Sequence, residues 1–278
     1  MKTAIALGTF DGLHNAHRKV LTLPDGYKKV AVTFKMPPKM LVFGQSEMLL
    51  SFDEKCCFLK ELGMDEIIAL DFEEVKNASP EEFLVYLKDE IGANYITCGF
   101  NYRFGKGGAG DTAMLSNFCN KNGIELCVSS PYLLPDGNAL SSSYIRSLLK
   151  NGEIEEANKY LYKPFSFTAT VNKGDQRGRT IGFPTINQKY PESLVKLRFG
   201  VYKTKVFIDC REYDAITDIG VRPTYETDYV ISETFIKNFS GDLYGKEVTI
   251  VPLKFLRDEI KFNSLEELKA QIEKDLNN

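Results

Sequence analysis

Histidine is scarce in this chain: there are two in 278 residues. Both fall in one ten-residue stretch, Gly8 to His17, and no third Cys or His lies nearby at zinc spacing. A basic surplus is also missing. The net charge of −3 argues against a general nucleic-acid binder. No apolar run approaches the roughly 20 residues needed to span a membrane, so no membrane partner is expected. Met1 leads almost directly into a strand-like segment, which leaves no room for a signal peptide. The six cysteines (Cys56, Cys57, Cys98, Cys119, Cys127 and Cys210) have neither zinc nor redox spacing. They read as reduced, mostly buried small residues of a cytoplasmic protein. Repeats and low-complexity segments are absent. What remains is an ordinary composition, 43% hydrophobic and 26% charged, with enough apolar material for a core. The length suits one large or two modest domains.

Two halves differ in pattern. The first alternates strand and helix. Thr3–Leu7, Lys29–Phe34, Glu66–Phe72, Tyr95–Phe100 and Ile124–Ser129 are strand candidates. Between them, Ser51-Phe52-Asp53-Glu54 and Ser79-Pro80-Glu81-Glu82 are capping boxes, and Asp111 caps a third helix that closes near Gly123. Such alternation implies an α/β domain with a mainly parallel sheet. The helix after His17 is short, about two turns, because Pro24-Asp25-Gly26 reads as a turn. From about residue 164 strands dominate: Phe165–Val171, Phe199–Ile208, Tyr229–Phe239 and Glu247–Phe255. A last capping box, Ser264-Leu265-Glu266-Glu267, opens an apolar stripe of Leu265, Leu268, Ile272 and Leu276. This predicts an antiparallel β-barrel with one C-terminal helix. The expected domains are residues 1–162 and 163–278, joined near Lys163-Pro164.

Several segments carry chemistry. In Gly8-Thr9-Phe10-Asp11-Gly12-Leu13-His14-Asn15-Ala16-His17, glycines let the backbone pass close to a ligand, and a helix start offers free N–H groups to an anion. His14 and His17, three apart, share one helix face. An isolated pair of this kind is usually just solvated. Its place between a strand and a helix, where α/β sheets bind nucleotides, favours a polyphosphate. Gly99-Phe100-Asn101-Tyr102-Arg103-Phe104-Gly105 follows a strand; it suits phosphate or flavin contacts, or is a plain surface loop. Ser141-Ser142-Ser143-Tyr144-Ile145-Arg146 enters a helix and offers hydroxyls, amides and a delocalised cation, or is a simple serine cap. Farther on, Gly174 to Asn187 holds glycines near an extended Thr185-Ile186-Asn187, whose alternate oxygens can meet at one Mg²⁺ or phosphate. A glycine-proline hairpin is the bland alternative.

Taken together these segments resemble the bifunctional riboflavin kinase/FAD synthetase family of prokaryotic type. The first resembles Gly-x-Phe-Asp-Gly-x-His-x-Gly-His, with Ala16 in the place of glycine. Asn101 and Tyr102 stand for Asp and Phe, and Ser143 for threonine, in two further motifs. Phe34-Lys35-Met36-Pro37-Pro38 matches a third motif in part. In the second half, Gly-Arg-x-x-Gly-Phe-Pro-Thr-x-Asn is complete. Phe199-Gly200-Val201-Tyr202, Asp218-Ile219-Gly220-Val221-Arg222-Pro223-Thr224 (Asp218 replacing Asn), Glu233, Phe239 to Gly245 and Arg257 to Phe262 follow in family order.

The resemblance implies a Rossmann-like nucleotidylyltransferase domain followed by a riboflavin kinase barrel. It implies ATP as co-substrate, Mg²⁺, and riboflavin, FMN and FAD as substrates and products. In the first domain Gly8, Phe10, Asp11, Gly12, Ser141, Ser142 and Arg146 would hold ATP. Asn101 and Arg103 would contact flavin, and His14 and His17 would stabilise phosphoryl charge. In the second, Gly174, Gly178, Arg179, Gly182, Pro184, Thr185, Asn187 and Tyr244 would bind ATP, with Thr185 and Asn187 as metal ligands. Arg257 and Phe262 would bind riboflavin, and Glu233 would be the catalytic base. Two alternatives stay open here. One is a riboflavin kinase whose first domain is silenced by Ala16, Asn101, Ser143 and the short helix. The other is a non-catalytic flavin or nucleotide sensor.

Overall fold

The computed structural model describes all residues except 45–46, 175–181, 210, 223–228, 263 and 277–278, and leaves aside the side chains of residues 39, 43, 222 and 265. Gly178 and Arg179, two of the expected ATP-binding residues, lie outside the described residues, as does Cys210. The chain forms two compact units, Met1–Ser142 and Ser143–Asn278.

In the first unit, β1 (Thr3–Leu7), β2 (Lys28–Phe34), β3 (Glu66–Leu70), β4 (Ala93–Gly99) and β5 (Glu125–Ser129) form a five-stranded sheet in the order β3-β2-β1-β4-β5. Every pairing is parallel. All five residues of β1 are buried, as a central parallel strand covered on both faces requires. Between the strands lie α1 (Asn15–Leu21), α2 (Pro38–Phe43), α3 (Phe52–Glu61), α4 (Phe72–Val75), α5 (Pro80–Val85) and α6 (Thr112–Asn122). The first two capping boxes form as expected: Ser51 and Glu54, and Ser79 and Glu82, bond reciprocally. Asp111 caps α6, and Gly123 ends it with φ 66°. Helix α5 continues as a π turn through Tyr86–Glu90. Its Phe83, Leu84 and Leu87 pack with Ile5, Leu7, Val30, Val32 and Ile96 of the sheet in the core of this unit. The strand expected over Glu66–Phe72 stops at Leu70, because the Asp71 carboxylate accepts from the Glu73 N–H at 2.9 Å and starts α4.

The second unit is a closed antiparallel barrel. Its strands are β6 (Phe167–Asn172), β7 (Thr185–Lys189), β8 (Gly200–Ile208), β9 (Arg211–Arg222), β10 (Tyr229–Ile236) and β11 (Glu247–Arg257), in the order β10-β7-β6-β11-β8-β9. The C-terminal helix is α9 (Leu265–Leu276). Neither β7 nor β9 was among the expected strands. The expected Tyr229–Phe239 strand stops at Ile236, ahead of Asn238, which takes the left-handed φ of 58°. Alternation along each strand fills the interior. Fully buried Thr204, Thr217 and Thr234 link hydroxyl to hydroxyl at 2.9 Å, and Ile219 and Ile250 are fully buried as well. Helix α7 (Ser142–Asn151) begins at the boundary of the two units, and α8 (Ile154–Tyr160) lies in the second. Both bond to other residues of the second unit. Asn158 donates to Pro252 O at 3.3 Å and accepts from Phe165 N at 2.9 Å, and Leu149 O accepts from Arg198 N at 3.4 Å.

Candidate active sites

In the first unit strand order reverses at β1, whose neighbours are β2 and β4. Ligands of open α/β sheets bind outside the carboxyl ends of strands at such a switch point. Three of the expected segments start there: Gly8 to His17 after β1, Phe34 to Pro38 after β2, and Gly99 to Asp111 after β4.

The loop after β1 is tightly wound. Phe10, Gly12 and Leu13 all have positive φ, of 50°, 87° and 43°. For the two non-glycine residues this conformation costs about 1–3 kcal/mol each, and such strain gathers at ligand sites. Phe10 is fully buried, and its ring covers Gly8: a Cβ there would lie 2.7 Å from the ring edge. Asp11, 4% exposed, accepts from the Leu49 N–H at 2.8 Å through Oδ1. Its carbonyl accepts from the Ser142 hydroxyl at 2.8 Å, which ties the serine segment to this loop across 131 residues.

His14 caps α1 with Nδ1, which accepts from His17 N at 3.4 Å. The two imidazoles stack with centroids 3.7 Å apart, and Phe10 meets His17 edge-on at 5.6 Å. Nδ1 of His17 is buried without a partner. Burial, then the His14 ring, then the Lys55 ammonium hold His17 well below the usual imidazole range. Lys55 was not singled out in the sequence. It is buried, and desolvation lowers its ammonium to about 8, against the opposing pull of Asp11 and Cys56.

Ala16 is half-buried in α1. Arg146 is half-buried, four residues on from Ser142 along α7. Asn101 and Arg103 are exposed, and Arg103 pairs with Asp111 at 3.7 Å. Their loop is not loose: Phe104 and Gly110 exchange both backbone hydrogen bonds, at 3.2 and 2.9 Å, and Gly105 fits where a Cβ would strike Pro80.

In the barrel, cross-strand register gathers the polar residues. Glu233 on β10 lies opposite Asn187 on β7 and Asp218 on β9, and Asn187 lies opposite Asn172 on β6. Directly opposed residues share a face. Ser232 and Thr234 point inward and are fully buried, so Glu233 and its row face outward. Thr185, two residues before Asn187, takes the same face. Gly174 leaves room for this row, since a Cβ there would lie 2.5 Å from the Asn187 amide. Glu259 lies against Gly220, two residues along β9 from Asp218. Burial first, then repulsion from Glu259 and Glu233, pushes the Asp218 carboxyl up to about 6, with Arg257 opposing and Asp275 adding repulsion. Asp218 Oδ1 is buried without a partner. Such an excess of carboxylate fits a cation. Among the described residues no group of three or more His, Cys, Asp or Glu is placed to hold one.

Arg257 and Phe262 come together, the guanidinium 5.8 Å from the ring centroid. Arg257 is also held by Asp275 of α9, which accepts at 3.0 and 2.8 Å. Tyr244 is half-buried in the turn before β11, its N–H donating to Asp242 at 2.9 Å. Gly182 has φ 84°, and Pro184 is exposed just before β7.

The FAD synthetase family model matches residues 1–144, and the riboflavin kinase family model matches residues 161–278. A bifunctional riboflavin kinase/FMN adenylyltransferase from Bacillus subtilis is 31% identical, covering 99% of this chain and 90% of its own length. Its counterpart from Listeria monocytogenes is 32% identical, covering 98% and 89%. The chain belongs to the bifunctional riboflavin kinase/FMN adenylyltransferase family. Both domains of that family are present. A crystal structure described as a macrolide-efflux protein from Streptococcus pneumoniae superimposes with a TM-score of 0.90 at 29% identity, over 99% of this chain and 92% of that one. Among the described residues of the present chain no helix is long and apolar enough to cross a membrane.

The family motifs had pointed to most of these positions. Lys55 escaped because a lysine in a capped helix reads as a surface residue. Asp218 stood out only as a departure from the family asparagine.

Proposed function

We propose that the barrel phosphorylates riboflavin to FMN with ATP, and that the first unit transfers AMP from a second ATP to FMN, giving FAD and pyrophosphate. The observation that carries this reading is the double convergence: the glycine-histidine loop sits at the sheet's switch point, and Asp218, Glu233 and Asn187 share one row on the barrel. The full-length match to bifunctional relatives favours it over a kinase with a silent first unit and over a flavin sensor.

In the kinase step, the riboflavin 5′-hydroxyl oxygen attacks the γ-phosphorus, the bond to the β-phosphate oxygen breaks, and ADP leaves. Glu233, exposed beside Asn187, accepts the hydroxyl proton. Thr185 and Asn187 would hold Mg²⁺ together with ATP oxygens; the ion supplies charge neutralisation on the phosphates. Gly174, Gly182, Pro184 and Tyr244 flank ATP, and Arg257 and Phe262 flank the flavin. In the second step an FMN phosphate oxygen attacks the α-phosphorus of ATP, and no proton needs to move. Gly8 to Gly12 bring backbone close to the phosphates, with Ser141, Ser142 and Arg146 as further contacts. His14 and His17 stabilise the charge on the phosphoryl oxygens. Asn101 and Arg103 contact the flavin. We assign the first function to residues 1–162 and the second to 163–278, in a cytoplasm that supplies ATP to both.

The test is incubation of the purified chain with riboflavin, excess ATP and Mg²⁺, followed by chromatography of the flavins. FAD is expected. FMN alone would restore the silenced-domain reading, and tight flavin binding without turnover would restore the sensor.

A further inference from the structure

Helix α3 carries a lysine where a lysine is expensive. Lys55 is 4% exposed, and its Nζ donates to Phe34 O at 2.6 Å and to Thr9 O at 3.3 Å. The first carbonyl ends β2; the second belongs to the wound loop after β1. Burying an ammonium costs several kcal/mol unless the surroundings compensate it. Anchoring α3 under the sheet does not need that charge, because a leucine or methionine of similar length would bury at a gain. What does need it is the loop above. That loop is strained at Phe10 and Leu13, and in the proposed function its backbone is what approaches the phosphates.

We propose that Lys55 is a positioning residue of the nucleotidyl-transfer site, clamping the Thr9–Gly12 loop to the end of β2 and holding a fixed positive charge beneath it for an incoming polyphosphate. The proposal rests on the reading that this unit binds ATP at the switch point. The charged and titratable groups around it come from three elements. They are Asp11 in the loop, His14 at the cap of α1 with His17 on it, and Cys56 beside Lys55 on α3.

Burial lowers Lys55 to about 8, so at neutral pH its ammonium is mostly intact. His17, held low by burial, by His14 and by Lys55, is then uncharged in the free enzyme. The two groups therefore divide the work: Lys55 carries the standing charge, and His17 offers a neutral imidazole. A bound polyphosphate favours the charged form of both, so binding takes up protons. In the free enzyme the ammonium is lost as pH rises through about 8, and affinity for the anion falls with it.

The experiment follows kcat/KM for ATP in FAD formation from supplied FMN, against pH, in the wild type, Lys55→Arg and Lys55→Met. The wild type is expected to lose activity above about pH 8. Lys55→Arg, whose charge persists, is expected to keep its activity there. Lys55→Met is expected to fall by about tenfold or more below about pH 8, to lose the alkaline limb, and so to approach the wild type at alkaline pH. FMN formation by the barrel stays unchanged in both variants and serves as an internal control.

A second readout does not depend on activity. With two histidines in the chain, imidazole NMR resonances can be assigned with one variant, His14→Gln. Removing the Lys55 charge should move the His17 titration to higher pH. The proposal is overturned if Lys55→Met keeps full FAD formation with its alkaline limb, or if the His17 titration stays in place. A wild type that makes no FAD from FMN would instead refute the function of the unit, and the histidine titration would still decide what Lys55 does.

Discussion

The two proposed phosphate sites differ in their electrostatics. The switch-point site of the first unit buries cationic groups. Lys55 and His17 both lie below their ordinary pKa values because their charged forms are desolvated. The outward row on the barrel collects carboxylates instead, and Asp218 rises to about 6 for the mirror-image reason. The first set of groups is cationic when charged, the second anionic. The difference also lies in construction. The first site is made by backbone, wound through three positive-φ residues in a single loop. The second is made by register, with Asp218, Glu233 and Asn187 from three antiparallel strands set side by side.

The sharpest way to break this comparison is to remove the proposed base. Glu233→Ala should lower FMN formation by about 10²–10⁴-fold and leave FAD formation from supplied FMN intact, as general-base losses of that size would suggest. Both rates come from one chromatographic assay, and an unaltered kinase rate would remove Glu233 from its role. Next in size is the converse variant. His17→Ala should cut FAD formation by about 10²-fold while FMN formation holds, since it removes the proposed charge-stabilising donor. If both activities fell together, the two sites would not be independent.

The glycine pair tests backbone against register. Gly8→Ala would press a methyl group on the Phe10 ring, and Gly174→Ala would press one on the Asn187 amide, the added Cβ lying 2.7 and 2.5 Å away. Each should cost about 1–3 kcal/mol of strain. The first should depress FAD formation and the second FMN formation, as steady-state rates would report.

Asp218→Asn probes the electrostatic contrast directly. Its folded pKa of about 6 lies above the ordinary carboxylate range, so the folded state disfavours the ionised form. Stability from this group is therefore highest below about pH 4, falls as pH rises to about 6, and stays reduced above that. The variant should lack that fall and gain about 1–3 kcal/mol at pH 7 without Mg²⁺, read by denaturant titration at several pH values. A variant no more stable than the wild type would mean that the carboxylate is already compensated.

The smallest effect is expected from Ala16→Gly. A glycine in α1 costs about 1 kcal/mol of helix stability. FAD formation should change less than about tenfold, the equivalent of 1.4 kcal/mol. A larger rise would mean that the Ala16 methyl group obstructs the nucleotide.

Much of this was legible in the sequence where signals are local. The capping boxes at Ser51 and Ser79, the stop at Gly123 and the short α1 all depend on residues a few positions apart. The glycine-histidine loop was likewise visible, because two glycines and two histidines lie within ten residues. Strand β9 was not. Its Arg211–Arg222 segment mixes charged residues and glycine, and it becomes a strand because β8 and β10 pair with it on either side. The π turn over Tyr86–Glu90 left no mark either, since the residues there suit an ordinary α-helix.

By itself, then, the sequence determined the alternation of the first half, the strand-rich second half, the helix ends and the residue types of the candidate sites. Those follow from short-range periodicity and from the chemistry of each residue. Only the tertiary structure decided that β1 is the switch point, that Asp218 stands beside Glu233, and that Lys55 is buried under the loop. Each of these depends on strands far apart in the chain closing on one another. Burial and cross-strand register, which set charge states and bring groups together, exist only once that closure is made.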